Sequence, residues 1–144
     1  MIKDIKFFDN LTHMQAIENN CLNLAFIGDA VWTMYVREFF LTHTNFKNNN
    51  LHRLTTKFVK ATYQAKALDI LTENLTEQEK DVARRARNTK MNTVSKNASL
   101  ADYKKATSFE AVIGYVYLLG QFDRLQMFFE ILSKDFLGDK KNDN

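Results

Sequence analysis

Apolar residues recur along most of this chain at spacings of three and four, which is the period of an α-helix and not of a strand. The densest stretch, residues 22–41, is apolar on nearly every face and predicts a central helix that is buried on most sides. A periodic stretch over residues 51–71 predicts one amphipathic helix, with the asparagines at 48–50 as its cap. With no proline and only four glycines, the chain is predicted to be all-α.

Two capping-box patterns predict where further helices begin. In such a box a threonine accepts a backbone N–H near the helix start, and an acid three residues later accepts another. Thr76 with Glu79 predicts the start of a short helix that runs into a group of arginines. Thr107 with Glu110 predicts the start of a helix that continues to residue 118.

The C-terminal part of the chain contains one more helical pattern. Gly120 is expected to end the preceding helix, and apolar residues over 122–136 predict the last one. Residues 138–144 are polar and charged, which predicts a disordered tail. Residues 1–137 are therefore predicted to form a single domain, since the chain is too short for two.

Charge is unevenly distributed along the sequence. The net charge is +3, and the interval between Asp81 and Asp102 contains five cations and no acid, so the rest of the chain is slightly acidic. We call these five cations the basic run: Arg84, Arg85, Arg87, Lys90 and Lys96. The asymmetry indicates a surface for a polyanion. The basic run has two interpretations, which are a loop that binds phosphates and a solvated face that pairs with acids such as Asp81.

The sequence also indicates the compartment. Cys21 is the only cysteine, so no intramolecular disulfide can form, and no apolar stretch approaches the roughly 20 residues that a membrane span needs. The N-terminus carries acids among its lysines and lacks the apolar core of a signal peptide. We expect a cytoplasmic protein with no membrane partner.

Asp29 is the most informative candidate for chemistry, because it lies in the middle of an apolar run. An unpaired carboxylate buried there would cost several kcal/mol, on the order of the penalty for any buried charge without a partner. A basic partner, Arg37 or Arg53, is one way to compensate the charge, and a divalent metal such as Mg²⁺ is the other. The adjacent Gly28 is costly in a helix, which indicates close approach by another backbone or a ligand.

Glu110 has two interpretations from local pattern alone. It is the acid of the Thr107 capping box, and the same position could direct its carboxylate into a cleft. His13, His43 and His52 lack the spacing of metal ligands, and we expect all three to be unligated. No pattern for nucleophilic catalysis or for a glycine-rich phosphate loop is present.

Two blocks resemble the ribonuclease III family in the same order along the chain. Residues 23–31 (NLAFIGDAV) are similar to the family signature, and residues 107–115 (TSFEAVIGY) to its second acidic motif. The segments 51–54, 64–67 and 84–97 resemble blocks of the Mini-ribonuclease III subfamily, which has a catalytic domain alone. The resemblance covers about residues 15–135 and implies a helical-bundle endonuclease domain with no appended RNA-binding domain.

The resemblance implies that Asp29 and Glu110 are the catalytic, metal-binding acids, with Mg²⁺ as the cofactor and Mn²⁺ as a substitute. Full-length members have two further acids at the positions of Ala25 and Thr107, so the site here is acid-poor, as in the Mini subfamily. Metal ions held by carboxylates can activate water for in-line attack on a phosphodiester, and no side-chain nucleophile is required.

The resemblance further implies a homodimer that cuts both strands of double-stranded RNA and leaves 5′-phosphate and 3′-hydroxyl ends with a short 3′ overhang. Maturation of the precursor of large-subunit (23S) ribosomal RNA is the implied role. The basic run is expected to contact RNA phosphates, and the helix around Trp32 and Tyr35 is expected to lie in the dimer contact. A non-catalytic RNA-binding module and a plain helical interaction domain are the alternatives.

Overall fold

The computed structural model describes residues 6–90 and 99–142, and all regular structure in them is helical, so the all-α prediction is confirmed. The described elements are α1 (His13–Ile17), α2 (Cys21–His43), α3 (Asn48–Val59), α4 (Ala61–Leu71), a 3₁₀ turn (Thr72–Asn74), α5 (Glu77–Arg87), α6 (Leu100–Leu118) and α7 (Phe122–Asn142). Helix α7 includes residues predicted to be a disordered tail, and the domain limit at 137 stays a prediction. None of these helices is long and apolar enough to cross a membrane.

Helix α6 lies at the centre of the fold and packs against α2, α4 and α5. Its crossing with α2 is so close that the two backbones touch at two glycines. A Cβ atom at Gly28 would lie 2.8 Å from the Gly114 nitrogen, and closer still to the Glu110 carbonyl oxygen. A Cβ at Gly114 would lie 2.9 Å from the carbonyl carbon of Leu24. The prediction that Gly28 permits close approach by another backbone is confirmed.

The hydrophobic core is built around Trp32, which is completely buried. Its indole N–H donates a 2.7 Å hydrogen bond to the backbone oxygen of Phe58. The rings in contact with it come from Tyr35 on α2 itself and from four positions on α4, α6 and α7: Tyr63, Phe109, Phe129 and Phe136. The Trp32 side chain therefore packs within its own subunit, and the dimer contact through the helix around Trp32 and Tyr35 stays a prediction. The apolar residues of α2 are divided between a core face, which contains Trp32, and a separate exposed face.

Residues 48–71 form two helices and not the single helix that was predicted. Lys60 has an extended backbone, with ψ of 157°, and separates α3 from α4. Its carbonyl oxygen accepts the N–H groups of Tyr63 and Gln64, both at 3.1 Å, which starts α4. Neither proline nor glycine occurs there, and the apolar spacing continues across the break, so the sequence carries no sign that the helix ends. Tertiary packing explains the break, since α3 packs on α2 whereas α4 packs on α6.

The predicted helix starts differ in outcome. The cap residue of α3 is Lys47, which makes no side-chain cap hydrogen bond, and Asn48 is already helical, so the asparagine cap was wrong. The capping box of α5 is confirmed. Thr76 accepts the Glu79 N–H at 3.1 Å, and the Glu79 carboxylate accepts the Thr76 N–H at 2.9 Å.

Helix α6 begins two turns earlier than predicted. Its cap is Ser99, whose hydroxyl oxygen accepts a first-turn N–H at 3.1 Å. Thr107 lies in the middle of the helix and donates its hydroxyl to the Tyr103 carbonyl oxygen at 3.0 Å. The capping role predicted for Thr107 and Glu110 is thus wrong, because a threonine can bond back to the preceding turn inside a helix. Gly120, with φ of 72°, follows the end of the helix as predicted.

Candidate active site

Asp29 on α2 and Glu110 on α6 come together at the close crossing of these helices. Position 28 touches the backbone of Glu110, so the next residue along α2 reaches the Glu110 side chain. The two carboxyl groups share a hydrogen bond, and both line one cavity of about 500 Å³. The structure therefore joins the two acids that the sequence had singled out.

The pair is electrostatically strained in the absence of a cation. The pKa of Glu110 is raised to about 9, first by burial of its carboxyl and then by the hydrogen bond and the negative charge of Asp29. Two carboxyls this close do not both ionise at neutral pH unless a positive charge compensates them. A carboxyl perturbed in this way inside a cavity is typical of a functional site.

The environment of Asp29 differs from the one expected from its apolar neighbours. Asp29 is exposed, whereas Glu110 is half-buried. The prediction that Asp29 is buried is therefore wrong, whereas burial does raise the pKa of Glu110. The physical reason is that a run of apolar residues can cover two separate faces of one helix, and Asp29 lies on the outer side of α2.

Gln64 is a residue of this cavity for which no role was predicted, although residues 64–67 form one of the blocks that resemble the subfamily. It extends from the first turn of α4 and is only 3% exposed. Its Nε2–H donates to Glu110 Oε2 at 3.5 Å. A spacing signal was available, since Gln64 lies four residues before Leu68 and seven before Leu71, which are both buried. A glutamine on the buried face of an amphipathic helix needs a polar partner.

The positions at which the family resemblance has two more acids also line the cavity. Ala25 and Thr107 are both buried there, and the Thr107 hydroxyl donates within its own helix. The cavity walls are otherwise mostly apolar, and they include Phe26 and Tyr103. The site is thus a pair of carboxyls and one amide in an apolar surround.

Residues 22–121 match the model of the Ribonuclease III domain family. The chain belongs to the ribonuclease III family. It is 43% identical over 121 residues to a Mini-ribonuclease 3 of Thermoanaerobacter sp. (strain X514), covering 84% of this chain and 85% of that protein. It is 47% identical over 104 residues to a Mini-ribonuclease 3 of Symbiobacterium thermophilum, covering 72% and 80%.

A solved structure agrees with this placement. The crystal structure of a protein from Fusobacterium nucleatum superposes with a TM-score of 0.75 at 31% identity, over 81% of this chain and 93% of that one. The resemblance to the Mini-ribonuclease III subfamily and the helical fold expected from it are confirmed.

The basic run of this ribonuclease III domain is divided by the fold. Arg84 forms an ion pair with Asp81 one turn earlier on α5, which is the structural alternative considered for the run. Arg85 is half-buried and donates to the backbone oxygen of Ile17 at 3.4 Å. The Arg85 bond links α5 to the end of α1, whereas the Arg84 pair lies on the exposed surface of a single helix and stabilises the fold little.

The remaining cations of the run are differently placed. Arg87 and Lys90 are exposed, and Lys96 lies outside the described residues. Arg87 lines a cleft of about 360 Å³ together with Lys104 and Lys105 from the first turns of α6. Lys105 pairs with an aspartate of α4 at 3.0 Å, whereas within the described residues no acid pairs with Arg87 or Lys104. Lys104 is a cation that the sequence reasoning missed, because it lies beyond Asp102.

An apolar stripe follows the outer side of α2. Its four exposed members are Leu22, Phe26, Met34 and Leu41. The side chain of Phe26 is 82% exposed. Tyr35, which was expected in the dimer contact, is half-buried and donates its hydroxyl to the Phe129 backbone oxygen at 3.2 Å. Leu22 and Phe26 also line the cavity that contains Asp29 and Glu110. The stripe and the candidate active site are therefore contiguous.

The donor set of the cavity suits a hard divalent cation. Asp29 and Glu110 offer carboxylate oxygens, which Mg²⁺ prefers, and Mg²⁺ commonly uses one or two carboxylates plus water and substrate oxygens. Across residues 6–90 and 99–142, no group of three or more His, Cys, Asp or Glu side chains could hold a metal. A two-carboxylate site is consistent with the acid-poor pattern expected from Ala25 and Thr107.

Proposed function

We propose that this protein is a Mg²⁺-dependent endoribonuclease that cleaves double-stranded RNA. The observation that carries the proposal is the convergence of Asp29 and Glu110, with the pKa of Glu110 raised to about 9 by burial and by its partner acid. A divalent cation relieves that repulsion and would be held by both carboxylates. Membership of the ribonuclease III family supports the same reaction class.

The residues of the cavity would bind the metal ion and limit the access of water to it. Asp29 and Glu110 would hold Mg²⁺, or Mn²⁺ in its place, and when bound this ion supplies activation of water and charge stabilisation at the leaving oxygen. The apolar walls of the cavity limit hydration of the half-buried Glu110 carboxylate, whereas Asp29 is exposed to water. The expected products carry 5′-phosphate and 3′-hydroxyl ends.

Duplex RNA would be held by phosphate contacts, because A-form RNA is recognised mainly by its shape and backbone. Among the described cations, Arg87 and Lys90 of the basic run and Lys104 of α6 are the best placed for this. Arg84, Arg85 and Lys96 remain candidates as the sequence predicted them. Binding of this kind weakens as salt rises.

We infer that the active form is a homodimer joined through the apolar stripe of α2. Four large apolar side chains exposed along one helix are typical of a surface that contacts another protein. A two-fold dimer would repeat the same stripe on both subunits, so that the stripe covers itself. Because the stripe continues into the cavity, each subunit would close one wall of the other's site.

The natural substrate that fits best is the precursor of large-subunit (23S) ribosomal RNA, in the cytoplasm. This part of the proposal rests on similarity to proteins named Mini-ribonuclease 3.

Purified protein incubated with an end-labelled RNA duplex tests the proposal. We expect Mg²⁺-dependent cleavage, complete inhibition by EDTA, and loss of at least about a thousand-fold in rate for Asp29→Asn, since metal contributes several kcal/mol to such reactions. Asp123→Asn, which changes an exposed acid on α7, is the matched control and should cleave like the parent. Tight binding without cleavage would favour a non-catalytic RNA-binding module, and neither binding nor cleavage would favour a helical interaction domain.

A further inference from the structure

Gln64 owes its position to the break between α3 and α4. Its backbone N–H bonds to the Lys60 carbonyl oxygen in the first turn of α4, and α4 packs against α6. The side chain is thereby directed inward and is 3% exposed. A continuous helix over residues 48–71 would not present this residue to α6 in the same way.

The partner of the Gln64 amide is one oxygen of Glu110. Nε2–H donates to Oε2 at 3.5 Å, which is a long hydrogen bond. A donor on one carboxylate oxygen restricts rotation of the group about its last side-chain torsion. The Glu110 carboxyl shares its other hydrogen bond with Asp29.

We propose that Gln64 is a positioning residue of the nuclease site, whose amide fixes the Glu110 carboxylate in the orientation that receives a divalent cation. The inference rests on the proposed function. Side chains that hydrogen-bond metal-ligating carboxylates orient them and typically change metal affinity by about 10- to 100-fold when removed.

The uncharged nature of the amide is essential to this role. A lysine or arginine at the same position would neutralise Glu110 and compete with the cation for it. An aliphatic residue would leave the half-buried carboxyl without its donor. Glutamine supplies a hydrogen-bond donor with no net charge, so it orients Glu110 and leaves the negative charge of the pair available to the metal.

Mn²⁺ binding to the RNA-free protein, followed by electron paramagnetic resonance, tests this role without relying on turnover. We expect Gln64→Leu to weaken Mn²⁺ binding about 10- to 100-fold. At saturating Mg²⁺ the variant should recover much of its cleavage rate. Tyr63→Phe is the matched control, because it removes a hydroxyl from the adjacent position of α4 that bonds to Asp135, and it should bind Mn²⁺ like the parent.

A double variant separates positioning from general support of the fold. In the Glu110→Gln background, Gln64→Leu should cause no further loss of Mn²⁺ affinity, because the group it positions is already gone. Gln64→Met serves if the leucine variant does not fold. A folded Gln64 variant with parental Mn²⁺ affinity overturns the inference, whereas a parent protein that binds no Mn²⁺ overturns the proposed function itself.

Discussion

The Cα of Gly28 lies directly against the backbone carbonyl of Glu110, so that α2 and α6 touch where the two candidate catalytic acids meet. Any side chain at position 28 would push the helices apart. The contact lies next to Asp29 in sequence and includes Glu110 itself. Helix packing and the geometry of the site are thus set by the same contact.

Gly28→Ala is therefore expected to lower stability and activity together. Overpacking against a backbone atom that cannot move aside should cost about 3 kcal/mol, at the upper end of the usual range for added methyl groups. Thermal unfolding by circular dichroism measures this loss. Gly138→Ala is the control, because a Cβ at that helical position meets nothing within 4 Å, and it should be neutral or slightly stabilising. A Gly28→Ala variant as stable as the parent would contradict the close crossing.

Stability of the metal-free protein should fall as pH rises. The pKa of Glu110 is raised from 4.5 to about 9 by burial and by Asp29. Relative to an ordinary glutamate, the proton that Glu110 retains stabilises the fold fully below pH 4.5, and this contribution is lost as pH rises through about 9. Melting temperatures in EDTA across this range measure the trend. Glu110→Gln should flatten it, and an identical slope in that variant would refute the assignment.

Mg²⁺ binding should release a proton at neutral pH. In the metal-free protein the raised pKa keeps Glu110 protonated near pH 7, whereas a metal ligand must be ionised. Calorimetric titration in two buffers of different ionisation enthalpy should report about one proton released per site, and apparent affinity should rise with pH. Equal heats in both buffers would indicate that Glu110 does not ionise on binding.

Replacing Phe26 by aspartate should convert a dimer into a monomer. The side chain is 82% exposed in one subunit and belongs to the apolar stripe, where a charge buried in the dimer contact would be unpaired. Light scattering at micromolar concentration measures the mass. Phe7→Asp is the control, since Phe7 is equally exposed but lies in the N-terminal segment and not on α2. A dimeric Phe26→Asp variant would move the interface elsewhere.

Arg87 and Lys104 should contribute to RNA affinity through charge alone. The double variant Arg87→Gln with Lys104→Gln should weaken duplex binding and reduce the slope of log affinity against log salt by about one unit per lost contact. Cleavage at saturating RNA should be largely restored. Lys134→Gln, an exposed cation on α7, is the control. An unchanged slope in the well-folded double variant would mean that RNA binds on another surface.

The sequence by itself determined the helical class and the family, and it singled out Asp29 and Glu110 as the two candidate acids. Helical periodicity is a local property, and so are the Thr76 capping box and the Gly120 stop, which is why these predictions agree with the structure. The glycine beside Asp29 even indicated a close backbone contact, because a helix does not otherwise favour glycine.

Only the tertiary structure decided which acid is buried, where the long helix breaks and which apolar residues face outward. Asp29 was expected to be buried and is exposed, whereas Glu110 is half-buried, since burial depends on the neighbours across the α2–α6 crossing and not on the neighbours in sequence. The break at Lys60 carries no local signal, yet it brings Gln64 to Glu110. Phe26 and Trp32 are both aromatic residues of one apolar run, and only packing against α6 and α7 distinguishes an exposed ring from a buried one.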